Sequence, residues 1–130
     1  MNMEPLLSMA RQARENAYAP YSKFAVGAAL QTKGGRVFCG CNVENLSFGL
    51  SCCAERNAVF AAVAEGEREF DAIAIVADSK EPVTPCGACR QVLAEFNLDL
   101  EVCSGNLQGA IYTASLRELL PRAKEGILGT

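Results

Sequence analysis

The sequence predicts a three-layer α-β-α fold built on a mixed five-stranded sheet, with sheet and helix elements in the order β-β-α-β-α-β-β. Apolar runs of strand length alternate with segments of helical periodicity through the middle of the 130-residue chain. Only Ser104 to Gln108 separate the last two apolar runs, and this is too short for a crossover helix. The last strand should therefore be antiparallel to its predecessor.

The N-terminal elements follow from local patterns. Apolar side chains recur at helical spacing from Glu4 to Tyr18, and Pro20 ends this first helix. Phe24 to Gln31 is a strongly apolar strand, and Arg36 to Cys41 is the returning strand of a hairpin. Lys33-Gly34-Gly35 forms the turn between them, where glycine allows positive φ.

A polar loop and a buried helix follow the hairpin. Asn42 to Leu50 is rich in turn formers and has no clear period, so we expect a loop that carries binding residues. Ser51 is expected to cap a helix that is apolar on nearly every side and reaches about Glu65. Ala72 to Ala77 is continuously apolar, which is typical of a central strand covered on both faces.

The C-terminal elements have clear start signals. Thr84-Pro85 predicts the beginning of a helix that continues through Phe96. Leu98 to Cys103 alternates as a half-exposed strand, and Gly109 to Thr113 is the last strand. A capping box at Ser115-Leu116-Arg117-Glu118 opens a final short helix. We expect one domain over residues 1–130, with a loosely ordered tail over residues 122–130.

Composition narrows the range of functions. Half of the residues are hydrophobic, which is enough for one core, and the formal net charge is −3 without long runs of either sign. Nucleic acid is therefore a poor partner, since binding a polyanion requires a basic surface. The chain lacks a membrane-spanning apolar stretch and a secretory signal at its start, so we expect no membrane partner and a cytoplasmic location.

The numbers of cysteines and histidines favour a metal site. Seven cysteines, an odd number, favour metal binding or free thiols over a disulfide framework. No histidine is present, which excludes Ser-His-Asp and Cys-His nucleophilic sites and the two-His facial triad. Proton transfer must therefore be performed by a carboxylate or by water.

Three thiols have metal-ligand spacing. Cys53 lies at the start of one predicted helix, and Cys86 and Cys89 lie at the start of another. If the strands before these helices run parallel, both helices begin at one edge of the sheet, and the three thiols meet there. Three thiolates and one water suit a catalytic Zn²⁺, one per chain. Helix N-termini also favour thiolate over thiol.

Charged neighbours distinguish a catalytic site from a structural one. Glu55 can take a proton from a zinc-activated water and deliver it to a substrate nitrogen, although a glutamate at a helix start can also serve the helix dipole alone. Three thiolates leave a negative centre, which Arg56 can offset by hydrogen bonding to one or more sulfurs. Arg90 is a weaker candidate for this role. The alternative for both arginines is an ordinary position facing solvent.

These motifs resemble a known family. Cys-Ala-Glu followed by Pro-Cys-x-x-Cys matches the signature of zinc nucleoside and nucleobase deaminases, with cysteine replacing the first histidine. Further segments are similar to cytidine deaminases of the short, homotetrameric type over roughly residues 5 to 121. They are Tyr18-Ala19-Pro20-Tyr21-Ser22-Lys23-Phe24, Val26-Gly27-Ala28-Ala29, Gly40-Cys41-Asn42-Val43-Glu44-Asn45 and Leu119-Leu120-Pro121.

The resemblance implies zinc-dependent hydrolytic deamination of cytidine and deoxycytidine to uridine and deoxyuridine, as in pyrimidine salvage. By position, Cys53, Cys86 and Cys89 would bind zinc, and Glu55 would shuttle protons. The substrate would be bound by Phe24 packing on the pyrimidine, Asn42 and Glu44 holding the ribose 3′-hydroxyl, and the backbone around Ala54 and Cys86 contacting the base. Without the resemblance, Phe24 could be core, Asn42 could serve only its turn and Glu44 could be solvated.

Two departures from the family concern neighbouring subunits. Phe48 stands where relatives commonly have tyrosine, in the loop that would reach a neighbouring subunit's site. No aromatic residue follows Leu119-Leu120-Pro121, where relatives often place a phenylalanine over an adjacent subunit's pyrimidine. A homotetramer is expected from the resemblance. A different cytosine compound, such as a modified nucleoside or a nucleoside antibiotic, is an alternative substrate.

Three other functions compete with this prediction. An enzyme that deaminates bases within a polynucleotide is disfavoured by Glu44, because its carboxylate would repel a phosphate, and by the short Ser104–Gln108 connection, where such relatives place a helix. A structural zinc protein would need Cys39, Cys41 or Cys52 as a fourth ligand. A thioredoxin-like protein using Cys86 and Cys89 would leave Glu55 and the predicted fold order unexplained.

Overall fold

A computed structural model describes residues 2–129, so the first and last residues of the predicted 1–130 domain lie outside the described residues. The described chain forms five strands and four α-helices. The strands are β1 (Val26–Thr32), β2 (Val37–Cys41), β3 (Phe70–Ala77), β4 (Glu101–Gly105) and β5 (Ile111–Ser115), and the helices are α1 (Glu4–Arg14), α2 (Ala54–Ala64), α3 (Gly87–Phe96) and α4 (Leu116–Leu119).

The strands form one mixed sheet in the order β2-β1-β3-β4-β5. Strand β1 is antiparallel to both β2 and β3, so that Ala28 lies opposite Gly40 on one side and Ile75 on the other. Strands β3 and β4 are parallel, and β5 is antiparallel to β4. The mixed sheet and the antiparallel last strand are therefore confirmed, and β2, β3 and β4 run in the same direction.

Helices cover both faces of the sheet, which confirms the three-layer prediction. Helix α1 buries Leu6, Leu7 and Ala10 against one face, together with small side chains of the sheet such as Ala29 and Ala74. The opposite face packs against α2 and α3, whose buried members are Ala54, Ala58, Val59, Ala62, Leu93 and Ala94. The second face carries the larger core. Helices α2 and α3, which lie on it, are each preceded directly by a cysteine, Cys53 or Cys86, and are called the cysteine-led helices below.

The predicted start positions of the two cysteine-led helices, at Ser51 and at Thr84-Pro85, were both wrong. The Ser51 hydroxyl accepts a hydrogen bond from the Asn45 backbone N–H, and Cys52 pairs with the loop at Val43, so α2 starts only after Cys53. Helix α3 likewise begins at Gly87, two residues after Pro85. Pairing of Cys52 with Val43 overrides the capping signal at Ser51, whereas the Thr84 hydroxyl accepts a hydrogen bond from the Arg90 side chain.

Other boundaries shift by a few residues. Helix α1 ends at Arg14 because the chain then turns and Tyr18 pairs with the loop, its N–H bonding to the Asn42 carbonyl. Strand β4 is buried along nearly its whole length, so its predicted half exposure was wrong. The capping box of Ser115 and Glu118 is confirmed. Within residues 122–129, Ala123 is buried in the core, and Ile127–Gly129 forms a 3₁₀ turn.

Two glycines allow helices to approach the sheet closely. A Cβ at Gly27 would lie 2.0 Å from the Ala10 carbonyl oxygen of α1. A Cβ at Gly40 would lie 2.4 Å from the Ala54 carbonyl oxygen and 2.5 Å from the Ala58 nitrogen. Real contacts to Cβ atoms are not this short, so only glycine permits the backbone of α2 to lie directly on β2. Gly40 therefore sets the height of the first turn of α2 above the sheet.

None of the helices in residues 2–129 is both long enough and apolar enough to cross a membrane.

We expect Gly40→Ala to lower the free energy of unfolding by about 2 kcal/mol, because the added methyl group forces α2 away from β2. Denaturant unfolding at fixed protein concentration measures this change. Gly34→Ala is the matched control, since its nearest neighbour would be 4.0 Å away. That substitution should change stability by less than about 0.5 kcal/mol. Equal stabilities of the two variants would contradict the close-packing argument.

Candidate metal centre and active site

Three cysteine thiols meet where α2 and α3 begin. Cys53 and Cys86 are the residues immediately before the two helices, and Cys89 lies in the first turn of α3. The Cys53 and Cys86 sulfurs are 3.9 Å apart, the Cys86 and Cys89 sulfurs are 3.5 Å apart, and all three lie within 4.8 Å of one another. The parallel directions of β2, β3 and β4 account for this meeting, because both helices follow strands that end at one sheet edge.

The geometry fits zinc. A tetrahedral zinc ion with bonds of about 2.3 Å to sulfur requires sulfurs separated by about 3.8 Å. The separations in the cluster bracket this value. Three thiolates leave the fourth position of a tetrahedral ion open, as in catalytic rather than structural zinc sites. Among residues 2–129, no other cysteine and no carboxylate joins this cluster as a ligand.

The pKa values of Cys53 and Cys89 are shifted in opposite directions. Hydrogen bonding with the Cys89 thiol, and then with the Arg56 guanidinium, lowers the pKa of Cys53 to about 5 although burial opposes this. Hydrogen bonding to Cys53 and burial raise the pKa of Cys89. The protein alone therefore stabilises one thiolate at neutral pH and leaves at least one proton on the cluster. Metal binding would complete the deprotonation.

Arg56 and Arg90, the two candidates for charge compensation at the thiols, have different hydrogen-bond partners. The Arg56 Nη2 donates to the Cys53 sulfur at 3.4 Å, and its Nε is buried with no acceptor among the described residues. The interaction with Cys53 also raises the pKa of Arg56, so its positive charge is retained beside the thiols. Arg90 instead donates to oxygen atoms, so the prediction that it faces sulfur or solvent was wrong.

Glu55 lies beside the thiols in the first turn of α2. It is only 5 % exposed, and burial raises its pKa to about 7. A carboxyl group with this pKa can both accept and release a proton near neutral pH. This behaviour is what the proton-transfer hypothesis for Glu55 requires.

A cavity of about 260 Å³ opens onto the cluster. Its wall contains Cys53, Cys86 and Glu55, and it also contains every residue predicted to bind substrate. The complete lining is Ser22, Phe24, Val26, Asn42, Glu44, Cys53, Ala54, Glu55, Val83, Thr84 and Cys86. Phe24 is 38 % exposed, so it is not a core residue in this chain. The cavity thus joins a metal-binding end to an end with an aromatic ring and polar groups.

Asn42 and Glu44 both have defined hydrogen-bond partners. Asn42 Nδ2 donates to the Phe24 carbonyl and its Oδ1 accepts from the Val26 N–H, each at 2.8 Å. This pairing aligns the segment that begins β1 and leaves one N–H and one lone pair of the amide for a ligand. Asn42 therefore does more than stabilise its own turn.

The Glu44 carboxylate is fixed by the segment before Phe24. It accepts hydrogen bonds from the Ser22 hydroxyl, the Ser22 N–H and the Tyr21 N–H. These bonds, that of the Ser22 hydroxyl first, lower its pKa. Ser22 Oγ also accepts from the Phe24 N–H at 3.0 Å, so one hydroxyl connects the Glu44 carboxylate to the Phe24 backbone.

Sequence reasoning missed four lining residues, namely Ser22, Val26, Val83 and Thr84. Ser22 lies within a segment that resembles the family, and Thr84 directly precedes Pro-Cys-x-x-Cys, so both positions carried a sequence signal. Val83 carried none, because its location depends on the extended path before α3.

Phe48 packs against Tyr21 of the same chain. Their ring centroids are 5.8 Å apart in an edge-on arrangement. With Ser22, Glu44 and Ser51, these rings line a second cavity, which shares two residues with the first. Phe48 is 72 % exposed in the single chain, so most of its ring remains available to another molecule.

The remaining cysteines lie outside the cluster. All seven are free thiols. Cys103 is buried as expected for a small apolar residue, whereas Cys41 and Cys52 are half-buried and Cys39 is exposed. The sequence favours small buried apolar residues for all four of these cysteines, and this prediction was wrong for Cys39, which lies on the edge strand β2. None of these four supplies the fourth ligand that a structural zinc site would need.

Comparison with known proteins agrees with this arrangement. The cytidine and deoxycytidylate deaminase zinc-binding region matches residues 1–104. A cytidine deaminase of Halalkalibacterium halodurans is 56% identical over 124 residues, covering 95% of this chain and 94% of the relative. One from Sporosarcina psychrophila is 51% identical over 124 residues, covering 95% and 91%.

A more distant relative and a solved structure extend the comparison. A blasticidin-S deaminase of Bacillus cereus is 31% identical over 108 residues, covering 77% of this chain and 76% of the relative. The crystal structure of cytidine deaminase from Burkholderia pseudomallei superposes with a TM-score of 0.90 at 54% identity, covering 93% of this chain and 98% of that one. The chain belongs to the cytidine and deoxycytidylate deaminase family.

Proposed function

We propose that the protein catalyses zinc-dependent hydrolytic deamination of cytidine and deoxycytidine, producing uridine and deoxyuridine and releasing ammonia. The observation that carries this proposal is the meeting of three thiols and one buried carboxyl group at the wall of a single cavity. The family supplies the reaction class, and the identity to cytidine deaminases supplies the substrate class.

Cys53, Cys86 and Cys89 would hold the zinc ion. When bound, zinc supplies a Lewis acid that activates water for attack on the ring carbon bearing the amine. Glu55 would take one proton of the attacking water and pass it to ring N3. It would then take the remaining proton of the added hydroxyl and pass it to the amine, so that ammonia leaves as the ring carbonyl forms. The raised pKa of this buried carboxyl group supports both directions of transfer. Arg56 keeps a positive charge against the Cys53 sulfur and so limits the negative charge of the centre.

The nucleoside would lie along the cavity with its base toward the thiols. Phe24 packs on the pyrimidine, and the backbone of Ala54 and Cys86 contacts the base. Asn42 and Glu44 hold the 3′-hydroxyl, using the hydrogen-bonding capacity that their contacts with the segment before β1 leave free. Because ribose and deoxyribose share this hydroxyl, the site accepts both sugars.

The Glu44 carboxylate also favours free nucleosides over polynucleotides. Hydrogen bonds from Ser22 and Tyr21 lower its pKa, so it is charged at neutral pH. A phosphate in place of the 3′-hydroxyl would be repelled. Only Asn106–Ala110 separate β4 from β5, so the connection lacks the helix expected of polynucleotide-acting relatives. Identity to the blasticidin-S deaminase is lower than to the cytidine deaminases, which favours cytidine over an antibiotic.

The broader biological setting follows from the same proposal. The chain acts as one domain over residues 1–130, in the cytoplasm and in pyrimidine salvage, and seven free thiols are compatible with a reducing compartment.

It assembles as a homotetramer in which Phe48 contacts a neighbouring subunit's site. Exposed apolar side chains on the loop around Phe48 support association, namely Val43, Leu46, Phe48 and Leu50. Light scattering of the purified protein tests the assembly.

The function is tested by measuring zinc in the purified protein together with ultraviolet assays of four compounds. We expect one zinc per chain and turnover of cytidine and deoxycytidine, with little turnover of cytosine or of a single-stranded oligonucleotide. Cytosine lacks the sugar that Asn42 and Glu44 would hold. Turnover of the oligonucleotide alone would contradict the proposal, and stoichiometric zinc without any deamination would support a structural zinc protein instead.

We expect Glu55→Gln to retain zinc while kcat for cytidine falls by about 10²- to 10⁴-fold, because the amide cannot accept and return a proton. Metal analysis and steady-state kinetics on the same sample measure both properties. Glu69→Gln, a change at an exposed glutamate paired with Lys33 at 4.0 Å, is the control and should leave both unchanged. Substantial activity of zinc-loaded Glu55→Gln would exclude Glu55 as the proton carrier.

Arg56→Gln should also retain zinc, with kcat lowered about tenfold, because the centre loses the positive charge beside the Cys53 sulfur. Kinetics with matched zinc loading separate this effect from metal loss. Arg68→Gln replaces an exposed arginine outside the cavity and provides the comparison. If both variants turn over cytidine like the unmodified protein, Arg56 has no role in tuning the metal centre.

A further inference from the structure

The two cysteine-led helices share an unusual start. The residue that precedes the first helical residue normally fixes the first turn by accepting a hydrogen bond on a Ser, Thr, Asp or Asn side chain. Cys53 and Cys86 occupy this position with extended backbones, at φ −73°, ψ 157° and φ −67°, ψ 170°. Neither side chain caps its helix, because both sulfurs lie in the cluster. Some other contact must hold these two segments.

In α2 the Cys52 carbonyl accepts a hydrogen bond from the Val43 N–H at 3.0 Å, and a second contact comes from Asn57, four residues after Cys53. Its backbone N–H bonds to the Cys53 carbonyl at 3.1 Å, continuing the helix. Its side-chain Nδ2 reaches back beyond the cysteine, donating to the Cys41 carbonyl at 2.8 Å and to the Cys52 carbonyl at 3.5 Å. Asn57 thus joins the peptide just before Cys53 to the end of β2, where Asn42 follows.

In α3 the equivalent residue is Arg90, four residues after Cys86. Its backbone N–H bonds to the Cys86 carbonyl at 2.9 Å. Its side-chain Nε donates to the Pro85 carbonyl, the one just before the cysteine, at 2.7 Å. The same guanidinium also donates to the Thr84 hydroxyl at 2.9 Å and to the Leu119 carbonyl of α4 at 2.8 Å. Arg90 therefore fastens the segment before Cys86 to the last helix.

Holding the preceding carbonyl fixes the cysteine itself. The peptide unit is planar, so the position of the Cys52 oxygen determines the orientation of the plane that ends at the Cys53 Cα. The same argument applies to Pro85 and Cys86. A swing of either plane would move a sulfur relative to the other helix, whereas these sulfurs are held 3.9 Å apart.

We propose that Asn57 and Arg90 are matched positioning residues, each of which uses its side chain to hold the carbonyl before its cysteine, so that the two together set the spacing of the metal-binding sulfurs. The inference rests on the proposed metal-binding role of Cys53, Cys86 and Cys89. It assigns to Arg90 a task that is separate from charge compensation, which Arg56 provides through its contact with sulfur.

The test measures zinc release from folded protein into excess chelator, well below the unfolding temperature. Asn57→Asp keeps the shape of the side chain but removes the donor, and Arg90→Lys keeps the charge but cannot reach three acceptors. We expect each variant to release zinc about tenfold faster. Cobalt-substituted samples should show altered thiolate absorption bands, because the sulfur geometry has changed.

Two controls match these substitutions. Gln91→Glu removes an amide donor from α3 whose acceptor, at 3.5 Å, is the Ala123 carbonyl in the C-terminal segment and not a carbonyl before a cysteine. Arg117→Lys changes an exposed arginine of α4 paired with Asp99 at 3.1 Å. Both controls should release zinc within about twofold of the unmodified rate, even where thermal stability falls slightly. If Asn57→Asp does not fold, Asn57→Ala removes the donor without adding charge and is expected to give the same faster release.

The outcomes separate this inference from the proposed function. If the unmodified protein binds zinc and deaminates cytidine, while the Asn57 and Arg90 variants match the controls in zinc release and in cobalt spectrum, the positioning role is overturned. If the unmodified protein holds no stoichiometric zinc, the proposed function fails first. Faster release confined to Asn57 and Arg90 variants that remain folded supports the inference, because lost stability alone would not change the spectrum of folded protein.

Discussion

The structure depends on two helices beginning at the same edge of one sheet, each with a cysteine as the residue before its first turn. Strands β2, β3 and β4 run in the same direction, so α2 and α3 begin at a common edge. Gly40 allows α2 to lie directly on β2, which fixes Cys53 and Glu55 relative to the sheet. Residues over thirty positions apart in the chain thereby form a single cluster with the spacing that zinc requires.

Placing cysteines at the starts of α2 and α3 has two physical consequences, and neighbouring residues compensate for both. Three thiolates would concentrate negative charge, and Arg56 opposes it through direct contact with the Cys53 sulfur. A cysteine whose sulfur belongs to the cluster does not cap its helix. Asn57 and Arg90 stabilise the backbone from within the helix instead. We therefore propose that charge and geometry at the centre are controlled by different residues, although Arg56 and Arg90 both lie close to cysteines of the cluster in the sequence.

The end of the cavity that carries Phe24, Asn42 and Glu44 is organised by a short polar network around the segment before β1. Asn42 pairs with the backbone on both sides of Ala25, and Ser22 connects Glu44 to Phe24. These bonds hold the backbone N–H and carbonyl of Phe24, whose side chain lies at the cavity wall. The sequence singled out Phe24, Asn42 and Glu44 through family resemblance. Ser22 lies within a segment that carries the same resemblance, but its bonds to Glu44 and Phe24 join two distant segments and are visible only in the tertiary structure.

The sequence by itself determined the fold class, the antiparallel last strand, the capping box at Ser115 and the three thiols with Glu55, because apolar periodicity, a short connection and ligand spacing are local or countable properties. The tertiary structure alone decided where the cysteine-led helices begin. The capping signal at Ser51 was outweighed by pairing of its segment with the loop at Val43 and Asn45, and the Thr84 hydroxyl accepts from the Arg90 side chain instead. It also decided that Arg56 and not Arg90 faces sulfur, since two arginines that each follow a cysteine-bearing turn can be distinguished only by what the other helices and strands place beside them.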